Sequence, residues 1–214
     1  MSAVQVVRNH NPVRASSTAA IPAAMGVPGN ERITAVAGGA LFFLLAVEGL
    51  TILQVHQLFS VHVFVGVMLV GPLAVKLGST GYRFIRYYTG ARAYREKGPP
   101  LPLLRILAPV LVLSTVIVVG SGIGLLITGP RNGDLLLSVH RVSFFVWFGV
   151  TTVHVLAYVW RVPGLAVADW RPRELHPHRG LRLTLNVSSL VAGAVAAALV
   201  LPAAAPWITR FANR

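Results

Sequence analysis

Five stretches of predominantly apolar residues, at 33–55, 58–77, 103–128, 135–160 and 183–201, occupy most of this 214-residue chain. A helix rising 1.5 Å per residue needs about 20 such residues to cross a hydrocarbon core, so each stretch is long enough to span a bilayer. The breaks between them carry helix-ending chemistry: Gly98-Pro99-Pro100 before the third span, Gly129-Pro130 after it, and Pro202 and Pro206 at the end of the fifth. Only 12% of the residues are charged, against roughly 25% in a soluble domain. The expectation is an all-α integral membrane bundle of about five transmembrane helices, with the lipid bilayer as its solvent.

The net charge of +13 invites a nucleic-acid reading. The positions of the basic residues argue against it. Fifteen of the 19 lysines and arginines fall in the N-terminal tail, the second connection with its flanks, and the fourth connection. That asymmetry is what the positive-inside rule produces. It predicts a cytoplasmic N-terminus, cytoplasmic segments at 78–100 and 161–182, and an external C-terminus, in the plasma membrane of a bacterial cell. Residues 1–32, rich in Ala, Ser, Pro, Gly and Asn, read as a flexible tail with no continuous apolar core. Residues 33–160 form a four-helix core, 161–182 a loop, and 183–214 an added fifth helix with the C-terminus.

The chain contains no cysteine. Disulfides, thiolate zinc sites, iron–sulfur clusters and covalent haem attachment are therefore excluded for this polypeptide. No nucleotide-binding fingerprint, nucleophile elbow or metal-hydrolase motif is present. Gly120-Ser121-Gly122-Ile123-Gly124 is no phosphate loop, because it lies inside an apolar span. Small residues also serve helix packing in membranes.

Seven histidines remain. His10, His176 and His178 lie in tail or loop, and His56 in a short connection. His62, His140 and His154 fall inside spans, where ionisable side chains are rare and face the bundle interior or a functional site. Spans two and four run parallel, which puts His62 and His140 at matched depth near the external face. A non-covalent b-type haem needs two such neutral imidazoles on neighbouring helices. Gly66, one turn after His62, would let a flat macrocycle approach the backbone, and Arg141 is placed for a haem propionate. His154 follows His140 by 14 residues, about 40° around and roughly 21 Å along the helix, which suits a second haem. Its counterpart in span two is Lys76 rather than a histidine. One haem is therefore expected, with two as the alternative. Two further readings stay open: a haem-free bundle moving protons or ions, and a structural subunit whose histidines bond helices together. Glu48, the one acid within a span, is expected to be a protonated carboxyl or a partner of Arg141, with proton relay as the alternative.

The segments Val61-His62-Val63-Phe64-Val65-Gly66 and Ser138-Val139-His140-Arg141-Val142-Ser143 through His154-Val155-Leu156 resemble the second and fourth helices of small prokaryotic cytochrome b proteins. The stretch from Lys76-Leu77-Gly78 to Tyr88-Thr89-Gly90 is similar to a bacterial cytochrome b-like membrane group. The resemblance covers roughly 33–160. It implies haem b in a four-helix core, with His62, His140 and His154 as ligands, and electron transfer between a quinone pool and a separate redox partner protein. The helix-one histidine that this family supplies for an inner haem is missing here.

Overall fold

The computed structural model describes residues 26–98, 102–160, 162–167 and 178–212. Among them every regular element is helical. Five helices are long and apolar enough to cross a membrane. The fold is an all-α helical bundle.

Helix α1, Val27–Leu53, opens with Pro28 in its first turn, where a missing N–H costs nothing. It ends in a tight connection, 54–58, closed by the amide of Leu58 donating to the Gln54 carbonyl at 2.9 Å. The second span is one rod in two pieces, α2 (Phe59–Met68) and α3 (Val70–Tyr88). Pro72 explains the break: it has no amide to offer the Met68 carbonyl four residues back, so the helix bends there. A short helix, α4 (Arg92–Glu96), follows. The third and fourth spans are α5 (Pro102–Thr128) and α6 (Asp134–Tyr158). They are joined through a turn in which Gly129 takes a positive φ of 66°. A short α7 (Val162–Ala166) packs on α1. The fifth span, α8 (Arg179–Val200), continues through a 3₁₀ turn at Leu201–Ala204 into α9 (Ala205–Ala212).

The helices sort into two groups. Helices α1, α2, α3 and α8 pack on one another, while α5 and α6 form the most extensive single pair. Contact between the groups is sparse: α2 touches α5, and the turn at Leu201–Ala204 touches both α2 and α5. These links lie at the end of the bundle that carries the 54–58 and 129–133 connections, called the upper end below. The outer surface is apolar. Phe43, Phe145 and Leu199 are each more than 70% exposed. Patches of this kind need a bilayer rather than water around them.

Three details depart from the sequence reading. Helix continues to Tyr88 through residues assigned to a basic connection, because lysine and arginine mark where a span leaves the apolar layer, not where backbone hydrogen bonding stops. The first and fifth spans likewise begin earlier, at Val27 and Arg179. The fifth helix is not an appendage: it packs against α1, α2 and α3. Most of the tail and half of the 161–182 loop lie outside the described residues.

Candidate functional site

His62 sits one turn into α2 and His140 nearly two turns into α6, so the bundle brings them together from its two groups. Their ring centroids are 6.3 Å apart and their planes nearly perpendicular, at 85°.

The hydrogen bonds fix the protonation pattern of each ring. The Nδ1 of His140 lies 2.9 Å from the Val118 carbonyl oxygen, which can only accept, so Nδ1 carries the hydrogen. Ser121 agrees. Its hydroxyl donates to the Ile117 carbonyl at 2.6 Å, leaving its oxygen to accept from His140 Nδ1 at 3.2 Å. The same accounting holds for His62. The Thr51 hydroxyl donates to the Glu48 main-chain carbonyl at 2.6 Å. Its single hydrogen is then used, so at 3.0 Å from His62 Nδ1 it accepts. The Glu48 carboxylate is a second acceptor, with Oε1 2.9 Å from the same Nδ1. Each neutral ring therefore holds its hydrogen on Nδ1 and its lone pair on Nε2.

Small residues make this arrangement fit. A Cβ at Gly122 would stand 3.1 Å from His140 Cε1, and one at Gly66 would stand 3.3 Å from Glu48 Oε1. Gly122 thus makes room for an imidazole. The space beside Gly66, expected to admit a macrocycle, is shared with the Glu48 side chain. Gly120 has open space where its Cβ would be.

Glu48 departs from expectation in its partner. Its carboxylate meets His62, not Arg141, because α1 presents it to α2. Its Oε2 is buried and has no hydrogen-bond partner among the described residues. Arg141 is exposed at the upper edge of α6. His154 lies in the last turns of α6 with its ring 5.0 Å from that of Tyr158, and Lys76 acts on it electrostatically. The Lys76 ammonium donates to the Thr34 carbonyl at 3.3 Å and occupies the space left by Gly38. Thr34 in turn meets Ser79, hydroxyl to hydroxyl, at 2.7 Å. No second histidine approaches His154 among the described residues. His10 and His176 lie outside them.

Thr51, Ser121 and the Val118 carbonyl escape the sequence reading. A hydroxyl in an apolar span usually bonds back to its own helix. Its second role, accepting from a neighbour's imidazole, depends on helix rotation that no spacing rule supplies.

The arrangement is a pair of neutral imidazoles with matched tautomers, within a membrane-type helical bundle. Among the described residues no cluster of three or more His, Asp or Glu side chains is placed to hold a metal ion. Two nitrogen ligands alone suit a metal whose remaining positions are filled by a macrocycle. Comparison of the chain with protein-family models, with curated proteins and with solved structures finds no match.

Proposed function

We propose that this protein is a membrane b-type cytochrome that binds one haem b through His62 and His140 and carries electrons between a quinone pool and a separate oxidoreductase partner. The observation that carries the reading is the shared tautomer. Both rings spend Nδ1–H on fixed acceptors, which leaves Nε2 of each free to ligate a metal, and the two rings stand 6.3 Å apart, centroid to centroid. Axial histidines are held in this way, with the second N–H given to a carboxylate or carbonyl. A bound haem b would supply one-electron chemistry at this position.

The chain's own residues supply the rest. Glu48 and Thr51 orient His62, Val118 and Ser121 orient His140, and the apolar helices keep water from the site. Arg141, exposed on α6 one residue after His140, would be available to a propionate. The excess of basic residues at the N-terminus and the lower end supports, by the positive-inside rule, a cytoplasmic place for both in the bacterial plasma membrane proposed for the protein. The histidine pair then lies toward the external face of the plasma membrane.

The test is spectroscopic. Protein purified in detergent, or reconstituted with hemin, should give sharp b-type bands on dithionite reduction. His62→Ala and His140→Ala should each remove most of that spectrum, while His56→Ala should leave it nearly intact. A wild-type protein that takes up no haem would defeat the proposal and move the His62–Glu48 pair to a proton-moving bundle. Single variants that all keep the full spectrum would defeat the ligand assignment.

A further inference from the structure

The two imidazoles are alike in tautomer but unlike in what holds them. His140 Nδ1 faces a main-chain carbonyl and a serine hydroxyl, both uncharged. His62 Nδ1 faces a threonine hydroxyl and the carboxylate of Glu48. That carboxylate is held in place. Its side chain is 14% exposed, Gly66 leaves it the space it occupies, and its Oε1 lies 2.9 Å from the Nδ1 of His62. Among the described residues Oε2 is buried without a hydrogen bond, and no lysine or arginine there forms a salt bridge with the carboxylate.

A carboxylate so buried is costly to keep in place. The cost falls if positive charge lies close by, and the nearest place for one is beyond the imidazole it already touches. A carboxylate acceptor also draws the Nδ1 hydrogen more strongly than a neutral carbonyl does, which makes the opposite nitrogen a stronger electron donor. Both effects favour the more positive, oxidised state of a metal on that nitrogen.

We infer that Glu48 is a positioning residue which fixes the His62 tautomer and sets the reduction potential of the site low. The inference rests on the haem reading above. The His140 side, with its neutral acceptors, contributes no such bias.

The experiment is an equilibrium redox titration of the haem-loaded protein, followed by its absorption bands at one fixed pH. Wild type is compared with Glu48→Gln and Glu48→Leu. Glutamine keeps an acceptor oxygen of the same shape and loses only the charge. Leucine loses the acceptor as well. Both midpoints should move positive, leucine at least as far as glutamine. A tenfold change in the reduction equilibrium, which is about 59 mV for a one-electron couple, is the expected scale. Should neither variant retain haem, Glu48→Asp replaces them. It keeps the charge but withdraws it from His62, and its midpoint should also rise. A midpoint that stays at the wild-type value, or falls, in whichever variants hold haem overturns the assignment to Glu48. Absence of haem from the wild type overturns the underlying proposal instead, so the two failures are separable.

Discussion

Gly193 of α8 lies against the carbonyl oxygen of Met68, the one main-chain acceptor in the second span that Pro72 leaves without its helical donor. The helix break and the close crossing are thus the same feature. A bend at residues 68–70 turns a carbonyl outward, and a glycine on the neighbouring helix lets the two backbones meet there. Gly71 returns the contact against the Ser189 carbonyl. This pair of glycines is what draws the fifth span into the bundle, in the manner of small-residue crossings in membranes.

Alanine at either position should therefore destabilise the protein. A Cβ at Gly193 would collide with the Met68 carbonyl oxygen, and Met68 Cα would lie only 3.3 Å away. Neither is the end of a flexible side chain that can swing aside. Overpacking of this kind costs about 1–3 kcal/mol. Gly78 is the control, since nothing lies within 4 Å of its missing Cβ. Gly78→Ala should be neutral or stabilising by up to about 1 kcal/mol through helix propensity. Unfolding in mixed micelles with increasing SDS measures all three, and Gly193→Ala behaving like Gly78→Ala would refute the crossing.

How far the sequence alone leads is visible at these positions. The five spans are legible because a bilayer imposes one strong rule, about 20 apolar residues between charged or Pro/Gly-marked breaks. The approach of His62 to His140 is legible through the alternation of successive spans, which makes spans two and four parallel and sets both histidines near the same end. What escapes is rotation and contact. Glu48 was equally free, on spacing, to meet Arg141 or His62. Lys76 in the space beside Gly38 requires knowing which faces of α1 and α3 meet. The fifth span looks peripheral until Gly193 is seen over a proline-freed carbonyl, and α9 is hidden because Pro202 and Pro206 read as an end rather than a redirection.

The orientation of the chain in its membrane can be tested with cysteines, because the natural sequence has none. Ser79 is a poor reporter: it is buried, and its hydroxyl meets Thr34. Arg92, whose side chain is 92% exposed, and Arg131 in the turn before α6 are better placed. In intact cells an impermeant maleimide should label Arg131→Cys and spare Arg92→Cys. Labelling of Arg92→Cys alone would invert the topology and put the histidine pair near the cytoplasm.

On the haem proposal, the expected count follows from the unequal surroundings of the three histidines within spans. His62 and His140 form a pair. His154 meets Tyr158 and the field of Lys76 instead. One haem per chain is therefore expected from a pyridine haemochrome assay against protein mass. His154→Ala should leave that ratio and the reduced bands unchanged. A ratio near two, falling to one in His154→Ala, would show that a second ligand reaches His154, and Lys76→Ala would then identify it.

The upper end of the bundle is tied by the C-terminal helix, and the tie can be graded. Trp207 of α9 is 3% exposed and donates its indole N–H to the Leu125 carbonyl at 3.0 Å. Gly133 is required beside it, since a Cβ there would stand 2.9 Å from the indole. Arg210 lies over the same ring at 5.6 Å, donates to the Pro130 carbonyl, and meets Asp134 at 3.2 Å. These contacts fasten the group containing α8 to the α5–α6 pair, and His62 and His140 sit on opposite groups. Trp207→Ala removes a buried aromatic side chain and should cost about 3–5 kcal/mol. Trp207→Phe keeps most of the packing and loses one hydrogen bond, about 1 kcal/mol. Asp134→Ala breaks an ion pair whose acid is 78% exposed, so solvent screening holds its effect below about 1 kcal/mol. Thermal unfolding in detergent should rank them in that order. Haem retention should follow the same order, because loosening the tie lets the two groups separate. Equal losses from Asp134→Ala and Trp207→Ala would mean that the surface ion pair, not the indole, holds the halves together.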